Sequence, residues 1–453
     1  MIVKLLLPAL ALSVVTLQPA SAEPVSFARE IRPLVKRHCE SCHKPDKRKG
    51  ELDVTTHAAL VQGGETGAGV VARDPAASLV LESVMGPDPD MPQKGDALGE
   101  EAVALLRRWI EEGAADDSAA VAEEEAAPGD APPPVYHALP AVTALAFTPD
   151  GGQLVVGGHG ELVFHDPAGG GPVARVPSGL PRIGALRFTG DGARLVAGGG
   201  VPTDFGGFET WVQDSNGSWI SGGIHRIAPD ELFGLGISPD GSRLVFGGAD
   251  RIVRVAAIDS GEVVAEFRDH SDWSMGAIFD DAGSLVVTAS RDETMRLIDA
   301  GSGAMVDSVN HPREPVLCLA RHPSEPWCLA GTERGGLFAY TIPEGVIEKP
   351  DDNRDPNFRD EFPRLSGPVY ALAFSPDGSL VAASGADDEV RVYKTADRSR
   401  AATIRVEDGA DIYALAFAPD GGRLAFAGYS GEVTVAATDS GEITATFGAA
   451  PVE

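Results

Sequence analysis

The sequence predicts a multidomain chain, a small all-α domain followed by an all-β seven-bladed propeller. Three observations carry that expectation. Segments of helical periodicity surround a C-x-x-C-H motif near the start, an acidic Ala/Pro-rich stretch follows, and beyond it one strand–turn–strand pattern returns seven times. The 453 residues leave room for more than one domain, and a hydrophobic content of 43% is enough to build cores. A formal net charge of −30 speaks against a DNA-binding surface and for an acidic, soluble protein.

Residues 1–22, "MIVKLLLPALALSVVTLQPASA", combine Lys4, an apolar run and the small-residue end Ala20-Ser21-Ala22. That is the pattern of a secretory signal peptide cleaved after Ala22. A retained membrane anchor is disfavoured because the apolar run is short. The expected location is the periplasm or another exported compartment, with no transmembrane segment in the mature chain. Four cysteines, Cys39, Cys42, Cys318 and Cys328, are too few in so long an exported chain for a disulfide framework.

The first domain is expected over residues 23–113. Its opening helix is read from "VSFAREIRPLVKRHC", with Phe27, Ile31, Leu34 and Val35 at helical spacing. The helix runs into "RHCESCH", which sets Cys39 and Cys42 two residues apart with His43 directly after. Three chemistries compete for that motif. A redox dithiol needs no histidine and sits at a helix start. A structural zinc site needs a second Cys/His pair, and none follows at a usable spacing. Covalent haem c uses all three residues: two thiols add to the porphyrin vinyl groups and the adjacent imidazole ligates iron. The haem reading is preferred, with His43 as proximal ligand.

A distal ligand is sought in "SVMGPDPDMPQKGD". Met91, in a Pro-rich loop, suits thioether ligation. Met85 ends the apolar run "SLVLESVM" and suits core packing; His57 or an open position are the other options. The domain should close with the amphipathic helix of "GEEAVALLRRWIEEGA". Glu100 and Glu101 favour its start, Val103, Leu105, Leu106, Trp109 and Ile110 form its apolar face, and Gly113 ends it.

Residues 25–115 resemble the planctomycete-type cytochrome c domain. The resemblance rests on "FAREIRPLVKRHCESCHKPDKRKGELDV", "GGETGAGVVARDPAASLVLESV" and "MPQKGDALGEEAVALLRRWIEEGA". It implies covalent haem on Cys39 and Cys42, with His43 and Met91 as the axial iron ligands. One departure is Ala72-Arg73, where the family often has Pro-Gly.

Residues 114–134, "AADDSAAVAEEEAAPGDAPPP", are nearly free of large apolar groups and read as a tether. Beyond them, over 135–453, the unit "VTALAFTPDGGQLVVGG" recurs. Its anchors Phe147, Phe188, Ile237, Phe279, Arg321, Phe374 and Phe417 lie 41 to 53 residues apart, near the period of a propeller blade. Within a unit, an alternating strand meets a Pro-Asp-Gly turn and a small-residue strand, and two further strands follow. Residues 135–449 resemble WD repeats. The Trp-Asp dipeptide itself is missing, with "FHD", "AID" and "LID" in its place, and its His partner survives in part as Asp269-His270. The competing fold is an array of β-sandwiches.

The propeller offers little chemistry. His137, His159, His165, His225, His270, His311 and His322 are scattered and read as surface or turn residues. Asp250, Asp292 and Asp388 recur after second strands, as structural aspartates of WD repeats do. Cys318 and Cys328 sit on adjacent strands but diagonally, so two buried thiols are favoured over a bridge. Segments 200–219 and 344–365 read as insertions, either tolerated surface loops or partner-binding loops. No phosphate loop or nucleophile elbow occurs.

The expected function is therefore an exported monohaem c-type cytochrome for electron transfer or redox-linked binding, with the propeller as a protein-interaction platform. It is more an electron carrier or binding module than an enzyme. The alternative is a propeller-based redox enzyme fed with electrons by the cytochrome domain. Arg29, Arg32, Lys36, Arg37, Lys44, Lys47, Arg48 and Lys49 outnumber Glu30, Glu40 and Asp46 around the motif, so the redox partner is expected to be acidic.

Overall fold

The computed structural model describes residues 24–40, 42–44, 47–86, 89–93, 97–118, 134–309, 312–343, 355–406 and 409–452. The expected signal peptide and residues 119–133 of the expected tether lie outside the described residues. The chain divides into two compact units, Met1–Glu125 and Ala126–Glu453. No helix among the described residues is long and apolar enough to cross a membrane.

The first unit is helical for the most part. A wide helical turn, Phe27–Ile31, leads into helix α1, Arg32–His38; α2 is His57–Gln62, α3 is Leu79–Ser83 and α4 is Glu100–Glu112. It is not wholly α, because His43–Lys44 pairs with Lys47–Arg48 in a short antiparallel ladder. The periodicity of α4 buries Leu106, Trp109 and Ile110, which pack with Phe27, Ile31 and Val35 in one core. Gly113 ends α4 in the left-handed region at φ 115°, and its amide returns to the Ile110 carbonyl at 3.1 Å.

The second unit is a ring of seven four-stranded antiparallel sheets, each built of four consecutive strands. The inner strands are Leu145–Phe147, Ile183–Phe188, Leu232–Ile237, Ser274–Phe279, Val316–Arg321, Val369–Phe374 and Ile412–Phe417. Each ends on one of the sequence anchors, just before its turn. The second strands are apolar runs because both their faces are covered. In blade one, Leu154 and Val156 enter the core shared with blade seven, while Val155 enters the core shared with blade two. Seven such cores result, one at each blade junction.

The ring closes without exchange of a strand between its ends. Val142 donates its amide to the Gly428 carbonyl at 2.9 Å, and Arg423 Nη2 reaches the Gly151 carbonyl at 3.1 Å. The C-terminal segment then crosses blade one: His165 Nε2 lies 3.0 Å from the Ala449 carbonyl, and Tyr136 bridges Val452 in parallel.

Two sequence expectations need correction here. Segment 200–219 is not a surface loop. It lies in and between the lengthened strands Arg194–Val201, Phe205–Gln213 and Trp219–Ala228, because its apolar residues Phe205, Phe208 and Trp211 are buried. Of segment 344–365, residues 344–354 lie outside the described residues, and Phe358–Phe362 forms the outer strand of blade five.

Candidate functional site

Helix α1 delivers the motif. Pro33 stands in its first turn, where a missing N–H costs nothing, and Val35 accepts the closing hydrogen bond from the Cys39 amide at 2.9 Å. The amides of Cys42 and His43 both return to the Cys39 carbonyl, at 3.1 and 3.2 Å. Cys39, Cys42 and His43 therefore occupy one tight turn; Ser41 lies outside the described residues.

His43 is buried, with 9% of its surface exposed. Its Nδ1 lies 2.9 Å from the Lys49 carbonyl. A carbonyl only accepts, so Nδ1 must carry the proton, and the Nε2 lone pair is left as the ligating one. The His43 backbone is held too, by the Val54 amide at 3.0 Å and by the ladder to Arg48. This backbone clamp was not legible in the sequence, because the carbonyl that sets the tautomer belongs to a residue with no side-chain role.

The competing chemistries can be weighed against this geometry. Burial pushes the Cys39 thiol up to about 11, whereas a redox dithiol depends on a lowered thiol pKa. No three His, Cys, Asp or Glu side chains converge as a metal cluster among the described residues, which is what a zinc site would need. One imidazole aimed by a backbone carbonyl beside two thiols fits haem c.

The methionines do not pack as the sequence suggested: Met85, expected in the core, is the exposed one, and Met91 lies against the core. Met91 is half-buried against the core of Phe27, Ile31 and Trp109, and its amide is fixed by the Ser83 carbonyl at 2.9 Å. Met85 is 38% exposed, with its sulfur accepting from Arg107 Nη2. His57 is engaged elsewhere: Nε2 lies 2.8 Å from the Ala114 carbonyl and the ring packs edge-on against Phe27 and Trp109. Arg73, at the departure noted above, has φ 64°, a conformation glycine adopts freely, and its amide caps the Ile110 carbonyl of α4 at 2.8 Å. The basic run is partly neutralised, since Arg32 pairs with Glu40 at 2.7 Å and Arg48 with Asp53 at 3.7 Å.

In the ring, three histidines read as surface or turn residues are buried: His165, His270 and His322. His270 Nδ1 lies 2.8 Å from Asp292 and Nε2 lies 2.8 Å from Thr288 Oγ1. In blade six the structural aspartate is Asp387, which accepts from the Ser366 amide at 2.9 Å and pairs with Arg391; Asp388 instead takes the left-handed turn position at φ 59°. Cys318 pairs with Gly331 and Cys328 with Arg321 across the ladder, so the two thiols are offset and unbridged, and burial pushes both up to about 12.

One functional candidate was missed. At one mouth of the central channel Phe233 packs on Trp273 at 5.7 Å, Arg291 covers Trp273 at 5.1 Å, and Tyr370 meets Tyr413 at 5.4 Å. Trp273 stays 42% exposed. The signal was available, because Phe233, Tyr370 and Tyr413 all occupy the second position of an inner strand.

Comparison with known proteins finds matches in both units. Residues 39–95 match the planctomycete cytochrome C family model, and residues 261–299 and 361–394 match the WD domain, G-beta repeat. The blades are WD-type repeats. Among curated proteins, the chain is 23% identical over 190 residues to pre-mRNA-processing factor 19 of Bos taurus, covering 41% of this chain and 36% of that protein. It is 28% identical over 146 residues to striatin-4 of Homo sapiens, covering 30% and 19%. It is 31% identical over 134 residues to eukaryotic translation initiation factor 3 subunit I of Drosophila simulans, covering 29% and 41%. The chain thus spans between about a fifth and two fifths of the length of these relatives.

Proposed function

We propose that the protein is an exported monohaem cytochrome whose WD-repeat ring serves as a protein-interaction platform. The observation that carries the haem half is the turn Cys39–Cys42–His43 with Nδ1 held by the Lys49 carbonyl, inside a segment matching planctomycete cytochrome C. Cys39 and Cys42 would hold the haem covalently, and His43 Nε2 and Met91 would supply ligands to its iron. The bound haem would supply one-electron redox chemistry. The chain's own part is to fix the imidazole tautomer and to keep water from the site with the Phe27, Ile31 and Trp109 core. Export, in the periplasm or beyond, is the compartment we assign, since haem c is attached outside the cytoplasm. The platform reading rests on the WD-type ring and on the exposed aromatic mouth around Trp273.

Expression of the full chain in a host with a cytochrome c maturation system tests this. The denatured protein should retain one haem per chain, and C39A/C42A should retain none. M91A should keep its haem and, once reduced, bind carbon monoxide where the parent protein does not. A parent chain that emerges colourless from such a host would refute the haem reading. Carbon monoxide binding by both proteins would refute Met91 alone.

A further inference from the structure

The seven inner strands wall the central channel of the ring, a cavity of about 930 Å³. Those strands carry two charged side chains, Arg187 and Arg321, and no Asp, Glu, Lys or His. In a chain of net charge −30, inner strands without acids are unexpected; the acids that line the channel, Glu231 and Glu333, lie just outside those strands at one mouth. Arg321 is neutralised by an ion pair with Asp281. Arg187 is not. Its Nε donates to the Leu235 carbonyl of the next blade at 2.7 Å, and among the described residues no carboxylate pairs with it.

Arg187 lines the channel with its side chain exposed to it. Arginine keeps its proton in proteins, so the charge stands there without a counter-ion among the described residues. The position equivalent to Arg187 in the other six blades holds Ala146, Gly236, Ile278, Ala320, Ala373 and Ala416. All are uncharged and five are small, so no other side chain competes for the guanidinium. With one N–H spent on Leu235, the two terminal amino groups form a planar fork that suits a bidentate oxyanion. Of the two acids lining the opposite mouth, Glu231 faces Arg182 at 3.4 Å, and among the described residues neither Glu231 nor Glu333 pairs with Arg187.

We propose that the propeller channel binds a small oxyanion, a molecule bearing a carboxylate or phosphoryl group, held at Arg187. The cavity volume falls in the range of small-molecule sites. The site does not depend on the haem reading; it shares one channel with the aromatic mouth, from which Arg187 lies at the other end of the inner strands.

The test is thermal unfolding of the full chain during titration with inorganic phosphate and, separately, acetate, each against sodium chloride of equal ionic strength. The melting temperature should rise saturably with at least one of them, as expected of a ligand that binds only the folded state. Which one it is separates a phosphoryl from a carboxylate ligand. R187Q should abolish the rise, and R187K, which keeps the charge but not the fork, should weaken binding about tenfold. No rise with either anion, or an equal rise in R187Q, overturns the proposal. Should R187Q fail to fold, phenylglyoxal labelling of the parent chain decides the matter. The stabilising anion should protect Arg187 and not the exposed Arg405; equal labelling with and without it counts against the site.

Discussion

At the scale of single residues, Asp292 ties the loop before blade four to the hairpin within it. Its carboxylate accepts from His270 Nδ1 at 2.8 Å, from the Ser271 amide at 3.0 Å and from Thr294. Burial pushes the carboxyl pKa up, but the bonds from His270 and Thr294 pull it down by more, to well below the usual carboxylate range. A depressed folded-state pKa contributes stability above the unfolded value, near 3.9, and loses it as pH falls through the folded value. Asp292→Asn should therefore cost about 1–3 kcal/mol near neutral pH. The gap to the parent protein, followed by urea unfolding, should narrow as pH drops below about 4. A gap that is constant into acid would show that shape, not charge, holds the loop. The sequence pointed to Asp292 but not to this network, because its partner His270 is 22 residues away in the chain and a lone histidine gives no periodic signal. In blade six the pattern misled by one residue. Asp387 and Asp388 are adjacent, and only the backbone, which turns left-handed at Asp388, decides between them.

At the scale of elements, one hydrogen bond recurs around the ring. An amide at or just past the end of the second strand reaches the carbonyl just before the inner strand: Gly200 to Arg182, Ala249 to Glu231, Arg291 to Trp273, Glu333 to Pro315, Ala386 to Pro368 and Tyr429 to Asp411, at 2.9 to 3.2 Å. In blades six and seven that approach leaves no room for a side chain at the strand's last position, whereas blades four and five hold Ser290 and Thr332 there. A Cβ on Gly385 would lie 1.7 Å from the Pro368 carbonyl oxygen, and one on Gly428 1.8 Å from that of Asp411. Gly385→Ala should destabilise the ring by about 1–3 kcal/mol, because the obstacle is backbone that cannot rotate away. Gly276→Ala, on an inner strand where an added Cβ would meet nothing within 4 Å, is the matched control and should change stability little. Equal effects of the two in urea unfolding would leave crowding unsupported. The strand–turn–strand repeat made these elements legible, since its anchors end all seven inner strands. The longer strands of blade two were not legible, because Gly200, Gly206 and Gly207 read as loop until paired in a sheet.

At the scale of the whole molecule, the open question in any ring of repeats is how its first and last units meet. Here both blades are complete in themselves, so the junction between blades seven and one must be made by packing and by the segments at its two ends. Its core, with Val142, Leu145 and Leu154 from one side and Ala425, Val433 and Phe447 from the other, resembles the six other junctions. What differs is the clasp beyond it. Ala449 donates to the Gly431 carbonyl at 2.9 Å and accepts from His165, Ala449 and Ala450 are buried, and Tyr136 bridges Val452. The Tyr136 hydroxyl continues inward to Glu161 at 2.8 Å, a carboxylate already paired with Arg175. In repeat architectures stability is close to a sum over units and their interfaces, so weakening one junction should open the ring there first. A chain ending at Gly448 loses the clasp and no strand. It should melt at lower temperature, by less than about 2 °C for each kcal/mol lost, because the shift per kcal/mol shrinks as the cooperative unit grows. Its amides in blades one and seven should exchange with solvent faster than those of blade four, which lies across the ring. Exchange raised equally in all seven blades would mean that the ring opens as one cooperative body and that the clasp adds only to its global stability.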